Sequence, residues 1–120
     1  MDNCTIYCSN ATTTATTIVL IPNRDIKNLD NTGTYKLVIC CNATATENLP
    51  VNIEVNGVSI PVLCKAGNEV FANQLTKRRC YTIMYGNDNP NYVNGQFVIQ
   101  NCINPKSATI PTTTFSVASL

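Results

Sequence analysis

A regular alternation of apolar and polar residues in the middle of the chain most constrains its fold. In VNIEV, residues 51–55, every second side chain is apolar, which is typical of a strand with one buried face. Asn56 and Gly57 follow directly, and this pair favours a type I′ turn because both central residues need a positive φ. The return segment VSIPVLC alternates again, so the sequence predicts a β-hairpin. Pro61 lacks an amide donor, and its nitrogen should point away from the ladder or lie at an edge.

Other short segments have the same β character and are bounded by turn-forming residues. We predict strands at ATTIVLIP (15–22), TYKLVICC (34–41), CYTIMYG (80–86) and GQFVIQNC (95–102), with EVFANQL as a short strand or a helical turn. No stretch shows a sustained apolar period of 3.6 residues. The predicted fold is therefore all-β, an antiparallel β-sandwich or jelly-roll-like barrel of about six to eight strands.

The 120 residues suit one domain with extended ends. We expect an N-terminal arm at residues 1–14, a β-sandwich domain at residues 15–103 and a C-terminal extension at residues 104–120. The tail has two prolines and a Thr run, and its last residues, TTFSVASL, could add an edge strand.

The N-terminal arm is a candidate assembly element. It carries Ile6 and Tyr7 between Cys4 and Cys8, ahead of a Thr-rich spacer. Such a peptide can dock in a neighbour's groove or complete its sheet by adding a strand.

The surface is expected to be polar but almost uncharged. Charged residues make up 12% of the chain, about half of the usual share of ~25%. The chain has 17 Asn and 16 Thr instead, residues that suit turns and strands respectively. With a net charge of +1, copies repel one another weakly and nucleic-acid binding is not expected, since it normally needs a basic face.

The residues needed for catalysis are sparse. The chain has no His, the usual general acid or base, and its five glycines form no phosphate-binding loop. Its acidic residues fall in predicted loops or on an outward strand face. We therefore expect no enzymatic activity, no catalytic residues, no cofactor and no metal.

The seven cysteines leave three interpretations open, since an odd number cannot all pair within one chain. They can be reduced thiols that pack as small apolar groups, or disulfides, some of them between subunits. Zinc ligation is the third, although the spacing of Cys4 and Cys8 and the lack of His disfavour it. Cys40 and Cys41 are candidate intersubunit thiols.

Two further segments are candidate contact sites. Lys77, Arg78 and Arg79 form the one charge cluster, which is either a solvated loop or a contact for an acidic partner, another subunit or a nucleic-acid backbone. Tyr85, Tyr92 and the Asn-rich loop at 87–94 could form a platform for sugars. The alternative is a turn with Tyr92 packed against the protein.

The stretch from TGTYKLVICC to QFVIQNC, roughly residues 34–102, resembles small β-domain proteins of tailed-phage virions. The likeness lies in VNIEVNGVSIPVLCKAGNEVFANQL, followed by CYTIMYG and a closing G-x-F-V-I element. Head-decoration and head-fibre proteins, including those of crAss-like phages, have similar strings.

The resemblance implies a non-enzymatic structural protein of the virion that decorates the head or forms a fibre. Such domains are often trimeric and attach to the capsid by a terminal peptide, so the expected partners are further copies and a major capsid protein. No apolar run marks the N-terminus, and we expect synthesis in the host cytoplasm, with no membrane contact.

Two alternatives remain open. The seven cysteines depart from a typical decoration protein and are compatible with a disulfide-linked filament subunit of the cell or spore surface, similar to endospore appendage proteins. A glycan- or receptor-binding fibre module is the other.

Overall fold

Within the residues that the structure describes, seven strands close into one β-barrel. The computed structural model describes residues 5–24, 26, 29, 32–41 and 49–104. The strands are β1 (Thr5–Thr13), β2 (Ile18–Pro22), β3 (Thr34–Ile39), β4 (Val51–Val55), β5 (Val58–Leu63), β6 (Cys80–Gly86) and β7 (Gln96–Ile99). Around the barrel they follow the order β1-β2-β4-β5-β7-β6-β3, and β3 pairs with β1 to close it. The prediction of an all-β fold with six to eight strands is confirmed.

The strand pairing is mixed, whereas the sequence analysis predicted an antiparallel sheet. The pairs β1–β3, β2–β4 and β5–β7 are parallel, and the other four neighbouring pairs are antiparallel. Parallel pairs join strands that are distant along the chain, because a tight turn can connect only antiparallel neighbours. Local sequence patterns therefore do not reveal them.

The N-terminal segment differs most from its predicted form as an arm. Thr5–Thr13 is a full barrel strand, which pairs with β2 on one side and with β3 on the other. Ile6 and Cys8 point into the core, and Tyr7 between them is exposed. This alternation of inward and outward residues anchors the segment within its own barrel. Cys4 and residues 105–120 lie outside the described residues.

The central hairpin is confirmed. Val55 pairs with Val58 across the turn, and Asn56 and Gly57 have φ values of 52° and 83°, as a type I′ turn requires. Pro61 lies opposite a β4 residue in a non-hydrogen-bonded position of this antiparallel ladder, so its missing amide costs β4 no bond.

Apolar side chains fill the interior of the barrel. The largest of the fully buried side chains are Tyr81, Phe97, Ile18, Leu20, Leu37, Ile53, Ile83 and Ile99. Phe97 packs edge-on to Tyr35, with ring centroids 6.5 Å apart, and at a tilt to Tyr85, at 5.5 Å. A barrel of this size holds a packed core rather than a channel.

Between β5 and β6 the chain makes a short 3₁₀ helix, Ala72–Gln74. Its first turn is fixed by the Gln74 side chain, whose Oε1 accepts a hydrogen bond from the Phe71 amide at 2.9 Å. The predicted short strand or helical turn at EVFANQL is thus a 3₁₀ turn, flanked by an isolated bridge between Pro50 and Phe71.

Candidate functional site

The two ends of the barrel differ in chemistry, and each carries candidate contact residues. We call one the cysteine end, defined by Cys8, Cys40, Cys41, Lys77 and Cys80. We call the other the groove end, defined by the side chains that line an open groove of about 410 Å³: Leu29, Val55, Asn56, Val58, Ile60, Tyr85, Asn87, Val93 and Asn94.

At the cysteine end, parallel pairing brings Cys8 of β1 beside the residues that follow β3. Cys8 is fully buried, and its carbonyl accepts a hydrogen bond from the Cys40 amide at 2.8 Å. Cys40 is exposed, whereas Cys41 is half-buried against the core. Cys8 and the candidate intersubunit thiols Cys40 and Cys41 are therefore neighbours within one chain.

The environment of Cys8 keeps it protonated. Burial raises the pKa of its thiol to about 12, and the neighbouring Cys41 and Cys40 act in the same direction. Burial and Cys40 also raise the pKa of Cys41, against the opposing effect of the Lys77 ammonium. Because the thiolate is the reactive form, Cys8 acts as a small apolar group of the core. The predicted role of Cys8 as a thiol on an assembly arm conflicts with this position.

The basic cluster lies at the same end, in the turn that leads into β6. Arg78 adopts a φ of 71°, and its amide donates to the Ile39 carbonyl at 2.8 Å. The Arg79 guanidinium lies 5.4 Å from the centroid of the Tyr81 ring, within cation–π range. Lys77 is close enough to Cys41 for its ammonium to oppose the rise in the pKa of the Cys41 thiol. All three basic residues are exposed, so the predicted partner-contact cluster adjoins the predicted thiols.

The remaining described cysteines differ in their exposure to solvent. Cys80 and Cys102 are exposed like Cys40, and Cys64 is half-buried. Over the part of the chain that the structure describes, no three Cys, Asp or Glu side chains are grouped so as to hold a metal ion.

At the groove end, the loop between β6 and β7 is tightly ordered. The Asn91 amide donates to the Asn89 side chain at 2.9 Å, and the Gly95 amide donates to the Tyr92 carbonyl at 3.0 Å. The hydroxyl of the buried Tyr85 donates a hydrogen bond to the Asn94 carbonyl at 2.8 Å. These bonds hold the loop in one conformation over the mouth of the barrel.

Gly95 makes this closure sterically feasible. Its φ is +88°, in the left-handed region, and a Cβ at this position would collide with the Tyr85 ring, within 2.6 Å of Cε1. A side chain here would displace either the loop or the tyrosine. Gly95 is therefore a structural requirement of the groove end.

The fixed loop displays an apolar residue to solvent. Val93 is 92% exposed, although it stands beside the groove that Val58 and Ile60 also line. Val58 is 37% exposed because it lies at the rim of the barrel, directly after the turn at Asn56 and Gly57. Among the described residues that line the groove, none carries a charge.

The backbone beside the groove is incompletely paired within the described residues. The first four residues of β5, Val58–Pro61, pair with β4, whereas β7 pairs with β5 only at Val62 and Leu63. One edge of this four-residue segment therefore borders the groove. An unpaired edge is a template for adding a further strand.

The sequence-based sugar platform is only partly compatible with this geometry. Tyr85 is buried, with its ring against Phe97 and its hydroxyl bonded to the loop, so it offers no exposed face. Tyr92 is half-buried. Sequence reasoning missed Val93, although it is the one aliphatic side chain in the Asn-rich loop.

Comparison of the chain with protein-family models, with curated proteins and with solved structures gives no match. A helix long and apolar enough to span a membrane does not occur in the described part of the chain. Any function proposed for this protein therefore rests on its own residues and geometry.

Proposed function

We propose that this protein is a non-enzymatic structural component of a phage virion that decorates the head or forms a fibre. In this role it assembles with copies of itself, as a trimer in the arrangement that the sequence resemblance implies, and with a major capsid protein. The observation that carries the assembly role is Val93, which is 92% exposed beside an uncharged groove. The resemblance over residues 34–102 supports the virion, and a cell or spore surface is the alternative location.

Exposure of Val93 favours burial by a partner. Covering a valine side chain fully contributes about 1.5–3 kcal/mol. The loop that holds it is already fixed by the bonds of Tyr85 and Gly95, so little conformational entropy is lost when it is covered.

The occupant that we propose for the groove is a second copy of the chain. With charged residues at 12% and a net charge of +1, copies approach with little repulsion. Val93 projects beside this uncharged groove, so Val93 of one copy can enter the groove of the next, as the head-to-tail contact of a ring such as a trimer requires. Ser59, whose amide and carbonyl point away from β4, adds a donor and an acceptor that a neighbouring strand can pair with.

Sedimentation velocity over a range of concentrations, in reducing buffer, tests this proposal. We expect concentration-dependent oligomers of the wild-type chain that are lost in Val93→Asp. Ala66→Asp is the matched control, because it adds the same charge at an exposed turn away from the groove. A chain that stays monomeric, or oligomers unaffected by Val93→Asp, would contradict the proposal.

A second candidate, a disulfide-linked surface filament, is favoured by the exposure of Cys40, Cys80 and Cys102. In that case a non-reducing gel gives a ladder that collapses on reduction. A single monomer band in both lanes removes this candidate. Cys4 and residues 105–120 stay predicted contacts of either assembly.

A further inference from the structure

Three exposed cysteines lie at the ends of neighbouring strands. Cys40 follows β3, Cys80 begins β6 and Cys102 follows β7, and β6 lies between the other two strands in the barrel. The three thiols therefore occupy adjoining positions at the cysteine end. Their spacing along the ladders determines which of them can bond.

The register of β6 and β7 brings two of them together. In this antiparallel ladder, each step back along β6 matches one step forward along β7. The Gln100 amide continues the register beyond the last ladder pair by donating to the Thr82 carbonyl at 2.8 Å. Continuing this register by two further residues would place Cys80 opposite Cys102, although β7 itself ends at Ile99 and the chain bends at Asn101.

Hydrogen bonds hold the chain both before and after Cys102. Before it, the Asn101 side chain accepts a hydrogen bond from the Thr82 amide at 2.6 Å. After it, the Asn104 amide donates to the Gln74 carbonyl at 3.1 Å. Cys102 therefore lies between a residue bonded to β6 and a residue bonded to the 3₁₀ helix, and at Asn101 a side-chain bond replaces the regular ladder bond.

Distances in an antiparallel ladder separate the two candidate pairs. Directly opposite residues have Cα atoms about 4.5–5.5 Å apart, within the span of about 4.4–6.8 Å that a disulfide needs. Cys80 lies opposite Val38 in the ladder of β3 and β6, so Cys40 is its diagonal neighbour. Diagonal neighbours are about 7–8 Å apart, which is too far for a disulfide without movement of the backbone.

We propose that Cys80 and Cys102 form an intrachain disulfide, which ties the segment after β7 to β6, while Cys40 stays a thiol. The oxidant is a small-molecule disulfide. The thiolate of one cysteine attacks it and releases one small thiol, and the thiolate of the other cysteine then attacks the mixed disulfide and releases the second. The two cysteine protons end on the two released thiols. This inference does not depend on assembly at the groove, and in the filament alternative it leaves Cys40 as the exposed thiol of the described residues that could link subunits.

Peptide mapping of dilute protein equilibrated in a buffer of reduced and oxidised glutathione, with the reduced form in excess so that unpaired thiols stay free, tests the pairing. After alkylation of free thiols, trypsin cleaves behind Arg79 and Lys106, so Cys80 and Cys102 share one peptide. We expect this peptide to carry no alkyl group and to be two hydrogens lighter than the dithiol. Cleavage at Met84 should leave its two fragments linked, and Cys40 should be alkylated.

Two serine variants are the controls, and both replace exposed side chains. Cys40→Ser should retain the link, whereas Cys102→Ser should lose it. Closure of this loop should raise the Tm of the wild-type protein by on the order of 10 °C on oxidation, with no such rise in Cys102→Ser. Alkylation of both Cys80 and Cys102 under oxidising conditions, or a bond from either one to Cys40, would overturn the proposal.

Discussion

At each end of the barrel a tyrosine hydroxyl holds a loop by one hydrogen bond, yet the two loops expose different side chains. At the cysteine end, the Tyr81 hydroxyl accepts a hydrogen bond from the Thr76 amide at 2.6 Å. At the groove end, the Tyr85 hydroxyl donates to the Asn94 carbonyl at 2.8 Å. Both tyrosines are buried residues of β6, so one strand anchors a loop at each end of the core.

The difference lies in what the anchored loops display. The loop at the cysteine end presents three basic side chains next to thiols. The loop at the groove end presents amides and Val93, with no charge among the described lining residues. Charged and thiol groups suit electrostatic or covalent contacts, whereas an uncharged groove beside an exposed valine suits close packing. We therefore propose assembly by packing at the groove end and covalent chemistry at the cysteine end.

The largest expected effect concerns the closure of the groove end. Gly95→Ala forces a Cβ into the Tyr85 ring at a left-handed φ. The strained φ costs about 1–2 kcal/mol and overpacking about 1–3 kcal/mol, so urea denaturation should show a loss of about 3 kcal/mol.

Gly57→Ala is the matched control for this substitution. Gly57 has a similar φ of +83°, but an added Cβ would meet nothing within 4 Å. The loss of stability in Gly57→Ala should be that of the strained φ alone, about 1–2 kcal/mol. Equal losses for the two variants would show that the contact of Gly95 with Tyr85 does not secure the loop.

The second effect is a loss of folding stability at high pH, which arises from Cys8 at the cysteine end. Because the folded pKa of Cys8 is raised to about 12, the folded state holds this proton more tightly than the unfolded state. The resulting stability is complete below the unfolded pKa of about 8.5 and is lost as pH rises towards 12, by up to ~1.4 kcal/mol per pH unit.

Unfolding measured from pH 8.5 to 10 in reducing buffer tests this effect. The wild-type free energy of unfolding should fall more steeply with pH than that of Cys8→Ala. Parallel curves would mean that Cys8 is accessible to water, as on a free arm, and would contradict its place in the core.

Removal of either tyrosine hydroxyl should have a smaller effect. Tyr81→Phe and Tyr85→Phe each delete one hydrogen bond to an end loop, at a cost of about 1 kcal/mol. Amide hydrogen exchange should then increase near Thr76 in the first variant and in residues 87–95 in the second. Exchange that spread to both ends in either variant would show that the ends are not independently anchored.

The smallest effect is expected from substitution of Val93. Because this side chain is 92% exposed, Val93→Asp should change the stability of the monomer by less than about 0.5 kcal/mol. Thermal unfolding at low concentration measures this change. A larger loss would indicate that Val93 packs within its own chain, and a drop in assembly could then not be attributed to the groove.

The sequence allowed prediction of those elements whose signals are local. The hairpin at Asn56 and Gly57 follows from the backbone needs of a type I′ turn, and β6 begins and ends at the predicted residues, Cys80 and Gly86. β2 and β7 are shorter than predicted.

Features that depend on distant parts of the chain were not predicted. The polar composition of residues 5–13 suggested an irregular arm, although Ile6 and Cys8 already have the spacing of a strand's inner face. The parallel pairs and the groove have no local signal, since both join segments far apart in sequence. The proximity of Cys8 to Cys40 follows from the pairing of β1 with β3, which no turn specifies.

Two-dimensional amide NMR of the reduced protein on dilution tests most directly whether the groove end carries the assembly. Stepwise dilution should move the resonances of residues 55–60 and 87–95, with those of Cys40 and of residues 76–80 unchanged. Movement confined to the cysteine end, or no movement at any concentration, would contradict the assignment of assembly to the groove.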